Sequence, residues 1–139
     1  MLLIAARDLA AIAAHAEHAY PGECCGLLVG RGRRIVRVSR VVPSSNIAAG
    51  RDDRFEVDPK LRFDLMRELG EGPERIVGHY HSHPDHPARP SPTDLACAFE
   101  PELLWLILAV SNGQAVQSRA WRLAPDGGRF VEERLEVSV

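Results

Sequence analysis

The stretch Gly78-His79-Tyr80-His81-Ser82-His83-Pro84, followed by Ser91-Pro92-Thr93-Asp94, decides how this chain is read. Ile76 and Val77 are apolar and β-branched, so the pattern predicts a strand running into the histidines. Side chains two apart on a strand share a face, about 6–7 Å apart along the backbone. His81 and His83 can therefore converge on one ion. Pro84 has no N–H to donate and ends the strand. Ser91, Pro92 and Asp94 suit the N-cap, first and third positions of a helix. That tetrapeptide has two readings. It is a variant capping box and nothing more, or the intervening loop folds Asp94 back over the strand end beside the histidines. Two neutral imidazoles and one carboxylate are the make-up of a catalytic zinc site whose fourth position is open to water. A structural site would be closed by four ligands and rich in Cys.

Composition narrows the function. The 139-residue chain is 45% hydrophobic and 26% charged, ordinary for a folded domain with a core of its own. A net charge of −2 offers no basic surface for nucleic acid or a membrane. All but Lys60 of the 17 basic residues are Arg, which in so Ala-rich a chain reads as compositional bias. No apolar run reaches the roughly 18 residues that suggest a membrane span. Met1 to Ala6 is apolar but lacks the basic start of a signal peptide. The expectation is a cytoplasmic protein. Cys24, Cys25 and Cys97 are odd in number and lack a Cys-x-x-Cys spacing, which argues against a disulfide framework and against a Cys zinc site. Cys24 and Cys25 are expected to be small buried hydrophobes.

The remaining chain reads as one α/β domain spanning 1–139. Arg7 to Tyr20 predicts a helix with an apolar stripe of Leu9, Ile12, Ala13 and Ala16, leaving His15 and His18 to solvent. Pro21-Gly22 breaks it. Cys25 to Gly30 predicts a strand, and Arg34 to Val42 a second, antiparallel one. Pro43 to Asp53 is a polar loop, and Arg54 to Val57 a short extended piece. Asp58 caps a helix from Pro59 to about Leu69, whose buried face is Leu61, Leu65, Met66 and Leu69. The helix opened by Ser91 runs to near Glu100-Pro101. Leu103 to Val110 is almost wholly apolar, as a central strand would be. Gln114 to Leu123 and Arg129 to Val137 follow as two more strands.

The His-Ser-His, seven residues, Ser, two residues, Asp spacing resembles the signature of the JAMM (MPN-plus) zinc metalloproteases. The bacterial members carry a Glu in a Pro-x-Glu-x-Cys-Gly-Leu-Leu-x-Gly context, and Pro21 to Gly30 matches it position for position. The similarity continues through Asn46, Arg54 to Pro59 and the C-terminal strands. It is closest to small bacterial members that resemble the CysO-cysteine peptidases. The resemblance implies a curved mixed sheet flanked by helices, similar to the cytidine deaminases in architecture. It implies one zinc per chain on His81, His83 and Asp94, an oxyanion held by Ser91, and Glu23 as general base. It implies cleavage of a peptide or isopeptide bond at the tail of a ubiquitin-like sulfur-carrier protein, laid along a strand edge. No long insertion is present to bind ubiquitin dimers, so polyubiquitin is not the expected substrate. His79 shares the parity of the two ligand histidines but is read as structural. Asp85 and His86 are read as exposed, and Glu56 and Asp58 as a surface residue and a helix cap. Two rival readings stay open: a metal-free MPN interaction module, and a zinc hydrolase of a small amide. A nucleoside deaminase would need a Pro-Cys-x-x-Cys pair, which the chain lacks.

Overall fold

Ala-rich and free of Gly and Pro, residues Ala6–Ala19 form helix α1 in the computed structural model, which describes residues 1–48, 54–98 and 100–139. Ile12 and Ala16 are its buried positions. Leu9, Ala13 and Ala19 pack beside them against a core that includes Leu28, Val77, Tyr80, Leu106 and Leu108. Each such Leu or Ile contributes roughly 1.5–3 kcal/mol by leaving water.

The strands are β1 (Leu2–Ala5), β2 (Cys25–Arg31), β3 (Val36–Ser44), β4 (Arg75–Pro84), β5 (Leu104–Ser111), β6 (Gln114–Leu123), β7 (Phe130–Glu133) and β8 (Leu135–Ser138). They form one mixed sheet in the order β7-β6-β5-β4-β2-β3-β1-β8. β4 pairs parallel to β5 and antiparallel to β2, so the histidine strand lies inside the sheet with neighbours on both sides. Helix α2 (Pro59–Leu69), capped by Asp58 through Lys60 N, packs on the face opposite α1. There Leu65 meets Leu27 and Val29. Helix α3 is the short segment Pro92–Ala96.

β7 and β8 are separated only by Arg134, yet they lie at opposite edges of the sheet. The sheet must therefore curl far enough for one chain segment to touch both ends. Arg122, on β6, donates to the Arg33 carbonyl at 2.9 Å across this closure. Leu2 N donates to Arg134 O at 2.8 Å. No helix among the described residues is long and apolar enough to cross a membrane.

Several sequence expectations need correction. Met1 to Ala6 contains strand β1, which threads between β3 and β8 in parallel with both. The single final strand is two, because curvature sends its halves to different edges. Met66 is 58% exposed, as the curved sheet meets α2 along a narrower line than the helix stripe suggested. His15 is half-buried, its Nδ1 2.7 Å from the Tyr80 hydroxyl. The motif helix stops at Ala96, with Cys97 as its C-cap. Of the polar loop 43–53, residues 49–53 lie outside the described residues, as does Phe99 in the expected extension of the motif helix.

Candidate active site

The site begins with the pleat of β4. His79, His81 and His83 point to the α2 face, where Cys25 stands opposite His81 and Leu27 opposite His79. All three imidazoles are buried. Tyr80 and Ser82 point the other way. Ser82 Oγ accepts from Cys24 N at 2.9 Å, and Ser82 N donates to Cys24 O at 3.2 Å. This clasp ties the end of β4 to the residue next to Glu23, and so carries Glu23 to the histidines.

His81 Nε2 and His83 Nε2 are 3.1 Å apart. Asp94 Oδ2 lies 3.0 Å from His83 Nε2 and 3.4 Å from His81 Nε2. Glu23 joins them: one donor atom each from Glu23, His81 and His83 lie within 4.8 Å of one another. Five of the residues singled out in the sequence thus meet at one place, with Ser91 beside Asp94. Both readings of Ser91-Pro92-Thr93-Asp94 hold at once. Ser91 Oγ accepts from Asp94 N at 3.0 Å, and Ser91 N donates to Asp94 Oδ2 at 2.9 Å, a capping box. The same Oδ2 faces both imidazoles. A hydroxyl has one donor and two acceptor positions, so accepting from Asp94 N leaves the Ser91 O–H able to donate.

The tautomer of His83 is fixed by its second partner. Nδ1 lies 2.8 Å from the Pro87 carbonyl, which can only accept, so Nδ1 carries the proton. A neutral His83 then turns the lone pair of Nε2 toward a carboxylate oxygen 3.0 Å away. Two such electron-rich atoms repel unless a positive charge sits with them. Burial would raise the Asp94 pKa, but hydrogen bonds with His81 and His83 outweigh it and hold the carboxyl well below the usual range. For His83, burial lowers the pKa, and the bonds to Asp94 and Pro87 more than reverse that. Burial dominates at His81 and lowers its pKa, keeping the ring neutral and able to act as a ligand. Its Nδ1 has no hydrogen-bond partner among the described residues. The donor set and its buried lone pairs fit a cation.

His79 does not join the cluster. Its ring centroid is 6.1 Å from that of His81 and 4.4 Å from that of Trp105. Burial pushes its pKa down to about 3. It lines a cavity of about 490 Å³ with Phe55, Val57, Asp94 and Trp105. His86 is exposed and lines a second cavity, of about 500 Å³, together with Glu23, His83 and Ser91. The cluster lies between the two.

Sequence reasoning missed two supports. Phe55 stacks on His81, centroids 4.1 Å apart and planes 16° from parallel, and so packs against one face of the ring. Asn46 donates to the carbonyls of Glu23, at 3.1 Å, and Arg54, at 3.3 Å, and accepts from Glu56 N at 2.9 Å. It joins the base-bearing segment to the segment that delivers Phe55. The recurrence of Asn46 and Arg54 to Pro59 in the resemblance was the available signal.

Residues 5–124 match the family described as prokaryotic homologs of the JAB domain. A CysO-cysteine peptidase of Mycobacterium tuberculosis is 30% identical over 138 residues, 99% of this chain and 91% of the relative. A desampylase of Haloferax volcanii is 34% identical over 87 residues, 63% of this chain and 62% of that one. The solution structure of a Desulfitobacterium hafniense protein covers 99% of this chain and 93% of its own, with a TM-score of 0.85 and 31% identity.

Proposed function

This chain belongs to the prokaryotic JAB-domain family, and from that premise we propose that it is a zinc-dependent peptidase. Its substrate in this reading is the C-terminal tail of a ubiquitin-like sulfur-carrier protein, cut at a peptide or isopeptide bond. The observation that carries the reading is the convergence of His81, His83 and Asp94 within 3.4 Å, with Glu23 close by. Zinc bound tetrahedrally at about 2.0–2.2 Å keeps its donors roughly 3.3–3.6 Å apart, near the separations found here. His81, His83 and Asp94 would hold the ion. Glu23, whose donor atom lies within 4.8 Å of those of both histidines, is assigned the role of base in this reading. The relatives named as a CysO-cysteine peptidase and a desampylase support the substrate class.

When bound, zinc supplies Lewis acidity and lowers the pKa of water toward about 7. Glu23 accepts a proton from the attacking water and delivers it to the departing amine. The Ser91 O–H donates to the carbonyl oxygen as charge develops on it. Asp94, pinned by its capping box, and His83, pinned by Pro87, need no reorganisation on the way. β2 and β4 are interior strands, so the edge available to an extended tail is not theirs. Arg54 to Val57, bordering the Phe55 cavity, is the extended segment beside the cluster. A carrier tail is bound there in this reading.

The test is metal content. Purified protein is expected to hold about one zinc per chain. His83→Ala or Asp94→Ala should lose it while remaining folded, and His86→Ala should keep it. Full occupancy in His83→Ala would overturn the ligand set.

A further inference from the structure

We propose that Asp85 is a positioning residue for the metal site: it fixes the turn after β4 so that the Pro87 carbonyl stays on His83 Nδ1 and the ring keeps its Nε2 lone pair for the ion. This rests on the ligand set given above and adds a residue outside it. Asp85 is exposed, as its place in the loop suggested, but it is tied on every side. It directly follows the last rung between β4 and β5, where Pro84 stands opposite Val110. Its N donates to Val110 O at 2.6 Å. Its Oδ2 accepts from Tyr20 Oη at 2.6 Å, and its Oδ1 accepts from Asn112 N at 3.1 Å. Tyr20 is the C-cap of α1, and Asn112 lies in the turn between β5 and β6. One carboxylate thus joins the end of the histidine strand to two elements remote from it in the chain.

The backbone at Asp85 is unusual as well. Its φ is +58°, in the left-handed region where Asp and Asn are enriched among residues other than glycine. That reversal turns the chain back over the end of β4. Two residues later the Pro87 carbonyl accepts from His83 Nδ1 at 2.8 Å. A second anchor lies on the other side of Pro87. Ala88 is fully buried against Ile107 and Ala109, and its carbonyl accepts from Trp121 Nε1 at 3.0 Å. Pro87 is therefore held between two fixed points, Asp85 before it and Ala88 after it, and its own ring fixes its φ.

The consequence follows from how a ligating imidazole works. The acceptor on its second nitrogen sets both the tautomer and the direction of the ring, and losing that acceptor weakens metal binding by roughly 10–100-fold. Without the Asp85 ties the turn keeps one anchor of two, so the Pro87 carbonyl is loosened and not lost. The effect belongs at the low end of that range. The two features of Asp85 can be separated experimentally. Glycine adopts the positive φ without steric cost but has no side chain to reach Tyr20 or Asn112. Asparagine tolerates the same φ and can still bond both, Oδ1 accepting from Asn112 N and Nδ2 donating to Tyr20 Oη.

The experiment measures the zinc Kd of the full chain by competition with a chromophoric chelator, beside the melting temperature of each metal-free protein. Asp85→Gly should raise the Kd about 10-fold. Asp85→Asn should bring it back to within about 2-fold of wild type. Tyr20→Phe should raise it about 3-fold in the wild-type background and not at all in Asp85→Gly, because the two residues act through one bond. A residue that only stabilised the fold would lower the melting temperature and leave the Kd of the folded protein unchanged. An unchanged Kd in Asp85→Gly overturns the proposal, and so does a failure of Asp85→Asn to restore it. If Asp85→Gly does not fold, Tyr20→Phe decides, and a wild-type Kd there overturns the proposal. If His83→Ala loses zinc while Asp85→Gly binds it like wild type, the ligand set stands and this inference alone fails. If His83→Ala binds zinc as tightly as wild type, both fail.

Discussion

Ser91 shows how one side chain serves stability and chemistry together. Its Oγ caps α3 through Asp94 N, and Ser91 lines the cavity that Glu23 also lines. Ser91→Ala should cost about 1 kcal/mol in a denaturant titration, the usual worth of an N-cap. It should also lower kcat roughly 10²–10³-fold if the hydroxyl stabilises the oxyanion. Stability loss with unchanged kcat would leave only the cap. The cysteines make a separate test. Cys24 and Cys25 are buried, and burial pushes their thiols up to about 11 and about 12. Few thiolates form there at neutral pH. Iodoacetamide on native protein at pH 7.5 should label the exposed Cys97 and spare both others; mass-mapped modification of Cys24 would contradict this. At this scale the shared face of His81 and His83 and the capping box of Ser91 and Asp94 were legible in advance, because i, i+2 parity and N-cap chemistry are local rules. Phe55 was not, because its stacking on His81 depends on a loop whose path no local rule dictates.

At the scale of elements, β4 is the part on which the geometry hangs. Its parallel pairing with β5 brings Gly78 against Leu104 so closely that a Cβ there would lie 2.3 Å from the Leu104 carbonyl oxygen. Backbone on both sides cannot yield cheaply. Gly78→Ala should cost roughly 1–3 kcal/mol and lower zinc affinity with it, because the shift starts three residues before His81. Wild-type stability in that variant, measured by urea unfolding, would mean the two strands have slack that the register does not suggest. The extents of β2, β5 and β6 were readable from their apolar runs and flanking turns. The buried face of α2 was read too wide: a helix stripe shows which residues could be buried, while the curvature of the opposing sheet sets how many are. Leu65 is buried and Met66 is not.

For the whole molecule, closure of the sheet is what sequence patterning left hidden. β1 is four residues long, and its partners Val36 and Leu135 are distant in the chain. An alternating run from Arg129 to Val137 gives no sign that its two halves belong to opposite edges. The same long-range folding creates the site, for Glu23 precedes His81 by 58 positions (81 − 23) and reaches it only because β2 and β4 pair. The central claim is that Glu23 works as a base beside the metal and is not one of its ligands. Glu23→Gln tests it most directly, since it keeps the size and removes the proton acceptor. Zinc content and melting temperature should match wild type, while hydrolysis of a Gly-Gly-Ala tail peptide falls about 10²–10⁴-fold. Loss of zinc in this variant would make Glu23 a ligand, and undiminished hydrolysis would place the base elsewhere; either result contradicts the account.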